Sequence, residues 1–422
     1  MTIVPAELPN PALFRARWVL PISHPPIEDG AVMVRGLSID EVGRFRDLRK
    51  KWPANSIVDL GETIIFPGLI NCHTHLDNSA LAGKTPRGGG DMIAWIDAHK
   101  KAFAATPENE REQARIEAWH SLPGLGTIFV SDISFEPYSR DNIGPEPLWS
   151  SVFFEVRGYG IHRAEENYRK AEEMRAMGAR TVSGVWTRFA LAPHGPHSLN
   201  ADILQQIADQ CVKRGDVVSI HLAESPDEVA FLKGENNRFE EAMRMWGYWE
   251  DGFEIPGCSP VEYLDRLGVL TPELMGVHCV QLDDEDIDLL AERGATVCLC
   301  PRSNEYIGVG QPRIADLYTA GIRMCMGTDG LASVDTLDLF DEMAFIRSNH
   351  PNVAPAEILK MATLNGATAL RMDSLFGSLE MNKVGRFLVY GGDCTGDPYE
   401  VITGGIDMSK LEWAGGEIDL RA

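Results

Sequence analysis

From Thr63 onward the chain alternates without a break between apolar, strand-like runs and amphipathic helical stretches. This alternation constrains the fold more than any other feature. Consecutive strands joined by helix-length crossovers lie parallel, since an antiparallel partner needs only a tight turn. Strands are expected at Thr63–Ile70, Thr127–Ile133, Ser151–Val156, Trp186–Leu191, Val217–Leu222, Met275–Val280, Thr296–Cys300 and Arg323–Met326. Helical patterns such as Leu199–Arg214 and Asp284–Arg293 lie between them. Eight such units in series predict an α/β fold, a closed (β/α)8 TIM-type barrel rather than an open sheet. Helices at Leu337–Asn349 and Pro355–Leu370 complete it.

The two ends read differently. Phe14–Leu20, Gly30–Arg35 and Ile57–Leu60 are short strand patterns, separated by turn formers at Pro25-Pro26, Asp29-Gly30 and Pro53. The tail returns to this character at Gly385–Gly391 and Glu400–Thr403. The expected division is therefore 1–62, 63–375 and 376–422, with both ends combining into a small β-sandwich beside the barrel.

Composition narrows the partners. A formal net charge of -23 argues against nucleic acid and anionic membranes, both of which need a basic face. No apolar run reaches membrane-spanning length. The eight cysteines form no CxxC pair and sit mostly in strand-like runs such as Ala295–Cys300, as buried free thiols in a reducing cytosol would. The N-terminus shows no secretory leader pattern, so a cytoplasmic protein is expected. A homo-oligomer is compatible with all of this.

Barrels of this kind carry their chemistry at the C-terminal strand ends. Five expected strand ends bear groups that bind metals or move protons: His73 and His75, His194 and His197, His221 and Glu224, His278, and Asp329. On a strand, residues two apart share a face, so His73 and His75 converge on one point. Each group alone has a bland explanation: His278 as a hydrogen-bonded core histidine, Asp329 as the cap of the next helix. Five together on one rim argue for a site. The other histidines, His24, His99, His120, His162 and His350, are expected at the surface.

The motifs Pro67-Gly-Leu-Ile-Asn-Cys-His73-Thr-His75-Leu, His221-Leu-Ala-Glu224-Ser, His278-Cys-Val-Gln-Leu-Asp-Asp, Cys300-Pro-Arg-Ser-Asn304 and Gly327-Thr-Asp329-Gly-Leu-Ala-Ser resemble those of the amidohydrolase superfamily, in its branch of nucleoside deaminases and triazine chlorohydrolases. The resemblance implies one divalent metal, held by His73, His75, His221 and Asp329, with Glu224, His278 and Asp329 as catalytic groups. No lysine follows the fourth strand that would, once carbamylated, bridge a second metal. Three imidazoles and a carboxylate suit Zn2+ or Fe2+ and leave a position for water. Asp329 would accept the water proton, Glu224 would protonate a ring nitrogen and then the departing amine, and His278 would stabilise the addition intermediate.

Further stretches resemble the aminodeoxyfutalosine deaminases of menaquinone biosynthesis: His75-Leu-Asp77-Asn-Ser-Ala-Leu, Gly88-Gly-Gly-Asp91-Met-Ile-Ala-Trp95-Ile, Gly257-Cys-Ser-Pro-Val-Glu-Tyr-Leu-Asp-Arg-Leu267 and Pro301-Arg-Ser-Asn-Glu-Tyr-Ile-Gly-Val-Gly310. This implies 6-amino-6-deoxyfutalosine as substrate. Asp77 and His197 depart from the glutamate and tyrosine usual in that group, which bears on the sugar and 5′ contacts. Trp95 is the expected purine wall, and His194, Arg302, Asn304 and Glu224 are expected substrate contacts. Arg87, Arg157 and Arg302 are the candidates for a substrate carboxylate, with nothing in the sequence to choose among them. Gly88–Gly90 is read as a lid hinge. Competing readings are a deaminase of S-adenosylhomocysteine, methylthioadenosine or adenosine, a chlorohydrolase or aminohydrolase of another N-heterocycle, and a scaffold without catalysis.

Overall fold

The computed structural model describes residue 4 and residues 8–137, 148–181, 187–236, 238–250 and 253–416. The chain divides into two compact units, one of Met1–Ile70, Leu122–Phe129 and Asp338–Ala422, the other of Asn71–Ser121 and Val130–Leu337.

In the first unit, strands from both chain ends share one seven-stranded sheet. Ala12–Val19 pairs antiparallel with Ile27–Arg35 and parallel with Ser56–Asp59 and Ile64–Pro67. Ile64–Pro67 pairs with Arg386–Tyr390, which pairs in turn with Leu411–Gly415. Alternation sends Phe14, Val32, Val34, Phe387 and Val389 to one core and Leu13, Ala31 and Met33 to another under Leu48. Glu400–Thr403, expected as strand, is instead part of the helix Pro398–Thr403. Asp397 caps it by accepting from Tyr399 N at 2.8 Å, and Pro398 sits in its first turn, where its missing N–H costs nothing. Those start signals override the β-branched residues behind them.

The barrel strands are Leu69–Thr74, Thr127–Ser134, Trp149–Val156, Thr187–Pro193, Val218–Leu222, Leu274–His278, Thr296–Leu299 and Arg323–Met326. They hydrogen-bond in sequence order as two runs of four. His221 N donates to His194 O at 2.9 Å between the runs, and Asp329 N donates to His73 O at 3.0 Å from the last strand end to the first. The first strand differs from the expected Thr63–Ile70. Pro67 has no N–H to extend the end sheet, and Leu69 N turns to Gly126 O at 2.9 Å. The chain therefore changes sheets at Pro67-Gly68, and His73 lies inside a barrel strand. Trp186, at the start of the expected fourth strand, lies outside the described residues.

The helices carry the signals that start and stop them. Ala201–Arg214 is capped by the Asn200 side chain and ends at Gly215 in the left-handed conformation. Asp284–Arg293 begins in a reciprocal box of Asp283 and Asp286. No helix among the described residues is long and apolar enough to cross a membrane. All eight cysteines are buried and free.

Candidate metal centre and active site

Three strand ends bring four side chains together. His75 Nε2 lies 3.3 Å from His221 Nε2. Asp329 Oδ1 lies 3.8 Å from His73 Nε2 and 3.7 Å from His75 Nε2. Ligands around a tetrahedral ion with bonds of ~2.0–2.1 Å stand roughly 3.3 Å apart, so these spacings fit one divalent metal after small adjustments. The donor atoms are also correctly prepared. His221 Nδ1 faces the carbonyl of His194 at 2.9 Å, and a carbonyl only accepts, so Nε2 keeps its lone pair for the cluster. Asp329 Oδ2 accepts from Ser303 Oγ at 2.6 Å and Ser333 Oγ at 2.8 Å, which leaves Oδ1 for the imidazoles.

His73 supplies the sharpest test of fit. It is fully buried, and neither ring nitrogen has a hydrogen-bond partner. An orphaned buried polar atom costs ~1–3 kcal/mol, which a metal bond would offset. Burial, then the nearness of His75 and His221, holds the His73 imidazole well below its usual range, and burial does the same for His221. Both are neutral, as ligands must be. For Asp329, burial opposes the charge, but the imidazoles of His75, His278 and His73 outweigh it and keep the carboxyl ionised.

The backbone is strained where these groups turn inward. Ala223, His278, Cys279 and Asp329 all have positive φ, between 49° and 70°. Such conformations cost of order 1–3 kcal/mol each and cluster where packing over-determines them. Gly327 and Gly330 explain how Asp329 comes so close: a Cβ on Gly327 would meet His73 O at 2.7 Å, and one on Gly330 would meet His75 O at 2.9 Å.

His75, His221 and Asp329 of the cluster line a cavity of about 620 Å³, within the range of small-molecule sites. His278 Nε2 stands 3.7 Å from Glu224 Oε1 in the same cavity, and His278 Nδ1 is held by Asn304 Oδ1 at 2.9 Å. Burial raises the Glu224 carboxyl to about 7, with Asp329 and Glu228 pushing the same way against His278. It is poised as an acid. Trp95, Arg157 and His194, expected as substrate contacts, line the cavity.

Arg302 and Asn304 do not. Both lie on the helix Pro301–Ile307. Asn304 faces His278, and two residues along a helix turn ~200°, so Arg302 points away and donates to Thr336 Oγ1 at 3.1 Å. Arg87 is likewise outside, paired with Asp335 at 2.7 Å. His99, expected at the surface, lines the cavity; its Nε2 meets Asn78 Oδ1 at 3.1 Å, and burial lowers it to about 4. Gly88–Gly90 is tied down by bonds to the carbonyls of Tyr306 and Ile307 rather than free to hinge. A second grouping, Glu155 with His194 and His221, makes a poor second metal site, because the one lone pair of His221 faces His75 and Glu155 is paired with Arg157.

Of two further buried carboxylates, Glu228 went unrecognised in the sequence and Asp77 is expected there to bear on the sugar contacts. Glu228 accepts from Ala223 N at 3.0 Å and Glu224 N at 2.8 Å, so it fixes the strained turn that aims Glu224. Its spacing, four residues after Glu224, was the available signal. Asp77 is not a cavity group. It accepts from Ser134 Oγ at 2.6 Å, Phe135 N at 3.0 Å and Glu136 N at 3.2 Å, and pairs with Arg115 at 3.1 Å. Arg115→Met strands this carboxylate with three donors instead of four and is expected to cost about 3 kcal/mol, the low end for breaking a buried pair. Urea unfolding measures it, and a midpoint within error of wild type would refute the pair's importance.

The sequence model of the amidohydrolase family matches residues 64–406. A 5-methylthioadenosine/S-adenosylhomocysteine deaminase of Nitratidesulfovibrio vulgaris is 30% identical over 361 residues, covering 83% of this chain and 76% of that protein. The aminodeoxyfutalosine deaminase of Deinococcus radiodurans is 28% identical over 350 residues, 80% of each chain. The crystal structure of Helicobacter pylori aminofutalosine deaminase in complex with methylthio-coformycin superposes with a TM-score of 0.82 at 23% identity, covering 93% of this chain and 95% of that one.

Proposed function

The chain belongs to the amidohydrolase family, and on that premise we propose that it is a metal-dependent deaminase converting 6-amino-6-deoxyfutalosine to futalosine and ammonia. The observation that carries the reaction type is the Glu224 carboxyl beside His278 in a cavity that His75, His221 and Asp329 also line. The ligand set suits Zn2+, with Fe2+ as the alternative. A divalent cation held there lowers the pKa of a coordinated water from ~15.7 toward ~7.

The residues supply the rest. Asp329 Oδ1, ionised and facing the imidazoles, takes the proton of the attacking water. Glu224 gives its proton to the purine ring nitrogen as water adds to the neighbouring carbon. His278, whose Nδ1 donates to Asn304 Oδ1, presents the lone pair of Nε2 and holds the attacking water by accepting its hydrogen bond. On collapse the carbon–nitrogen bond breaks: Glu224 passes the proton that Asp329 took from water to the departing amine, which leaves as ammonia, and the new hydroxyl gives its proton back to Glu224 as it becomes the product carbonyl. Trp95 and His194 border the cavity where the base would lie.

The substrate rests on the cavity's size and on Arg157 in its wall, together with the Deinococcus relative. The Nitratidesulfovibrio relative supports a second reading, deamination of methylthioadenosine or S-adenosylhomocysteine. An ultraviolet assay of zinc-loaded protein on aminodeoxyfutalosine, S-adenosylhomocysteine and adenosine separates them. A strong preference for the first is expected. Equal or faster turnover of the others would overturn the substrate, and no turnover of any would overturn the deaminase reading.

A further inference from the structure

The helix Met92–Ala105 lines the cavity with Met92, Trp95, Ile96, His99 and Lys100. That i, i+3, i+4, i+7, i+8 spacing is one helical face, about 12 Å long at 1.5 Å per residue. Its last member carries a charge. Lys100 Nζ stands 4.3 Å from the ring centre of Trp246 and 3.9 Å from that of Tyr248. Tyr248 is 44% exposed, so this corner is the mouth of the cavity.

Three further cations line the cavity: Arg157, Arg163 and Lys170. Each already has a carboxylate. Arg157 is paired with Glu155, Arg163 with Glu250 at 3.6 Å, and Lys170 with Glu166 at 2.6 Å. Lys100 has none within ion-pair distance among the described residues; its adjacent Lys101 takes Asp97 at 2.5 Å. The half-buried Lys100 ammonium is held on two aromatic faces with no direct carboxylate partner among the described residues, Asp97 acting on it only at longer range. The rings hold the ammonium in place and leave its N–H donors for a partner.

We infer that Lys100 is the specificity-determining cation of the site, binding a carboxylate on the 5′ substituent of the nucleoside, with Arg157 as the second positive group nearby. This deepens the function proposed above and rests on its nucleoside reading. It does not rest on the choice between aminodeoxyfutalosine and S-adenosylhomocysteine, since both carry a carboxylate there. Methylthioadenosine and 5′-deoxyadenosine do not.

The test uses zinc-loaded wild type, Lys100→Met and Lys100→Arg with all four nucleosides. Met keeps the stem against Trp246 and Tyr248 but removes the charge. Its kcat/KM is expected to fall roughly ten- to hundredfold further on the two carboxylate substrates than on the two uncharged ones, as for loss of one charge-assisted contact. The loss should lie in KM, and Lys100→Arg should restore most of it. An equal loss on all four, no loss on any, or a wild type that favours the uncharged pair would overturn the inference. Which carboxylate substrate wild type prefers decides the substrate separately: faster S-adenosylhomocysteine with a selective loss in Lys100→Met would sink aminodeoxyfutalosine and keep Lys100.

Discussion

Glu224→Gln is expected to lower kcat ~10²–10⁴-fold, the contribution of a positioned acid–base group, while metal content stays at the wild-type level. Gln keeps the shape of the side chain and loses the transferable proton. Its neighbour at 3.7 Å is His278, outside the proposed ligand set of His73, His75, His221 and Asp329, so the metal should be retained. The pH profile gives a second, independent reading. Burial raises the Glu224 carboxyl to about 7, and only its protonated form can donate to the ring nitrogen. Wild-type kcat/KM should therefore fall as pH rises through the Glu224 value. A bound dication favours the carboxylate, so in the loaded enzyme that limb lies at or below about 7. In Glu224→Gln the limb should vanish. A variant that retained both the rate and the limb would assign the acid to another group.

How much of this was legible in the sequence depends on which physical rule placed each residue. His73, His75, His221, Glu224, His278 and Asp329 follow from strand ends, because a parallel barrel gathers the ends of all its strands on one rim whatever lies between them. Their order along the chain was enough. Arg302 and Asn304, expected as substrate contacts, lie off the cavity lining because a helix, unlike a strand end, distributes neighbours around an axis; which face looks inward depends on packing that no local pattern states. His99 and Lys100 were missed for the same reason. Their spacing from Trp95 marks a helical face, but only the position of the helix shows that this face borders a cavity. Glu228 and Asp77 are harder still. A buried carboxylate that binds backbone N–H groups looks in sequence like any charged surface residue. The change of sheet at Pro67 was written in the chain, as a missing N–H inside an apolar run, yet apolar continuity from Thr63 to Ile70 concealed it.

Adding Zn2+ to metal-free protein is expected to raise its melting temperature in a concentration-dependent way, and His73→Ala should abolish that response. The argument begins with the two unpartnered nitrogens of His73. Without metal, the folded protein bears the cost of desolvating them, while in the unfolded chain both face water. A metal that binds only the folded state stabilises it by RT ln(1 + [L]/Kd), ~2.7 kcal/mol at a hundred times Kd. His73 is the proposed ligand whose ring lies wholly inside the protein, so its removal breaks the ligand set and leaves a buried hole beside His75, His221 and His278. Turnover should vanish with the metal, but the melting curve reports binding without reference to any substrate. His162→Ala, an exposed histidine at the start of the helix Ile161–Thr181, should respond to Zn2+ like wild type. A wild type indifferent to Zn2+ and Fe2+ alike, or a His73→Ala protein still binding one ion per chain, would remove His73 from the ligand set. The cluster would then have to be explained by neutral imidazoles packed against Asp329 alone, with two buried nitrogens left unsatisfied.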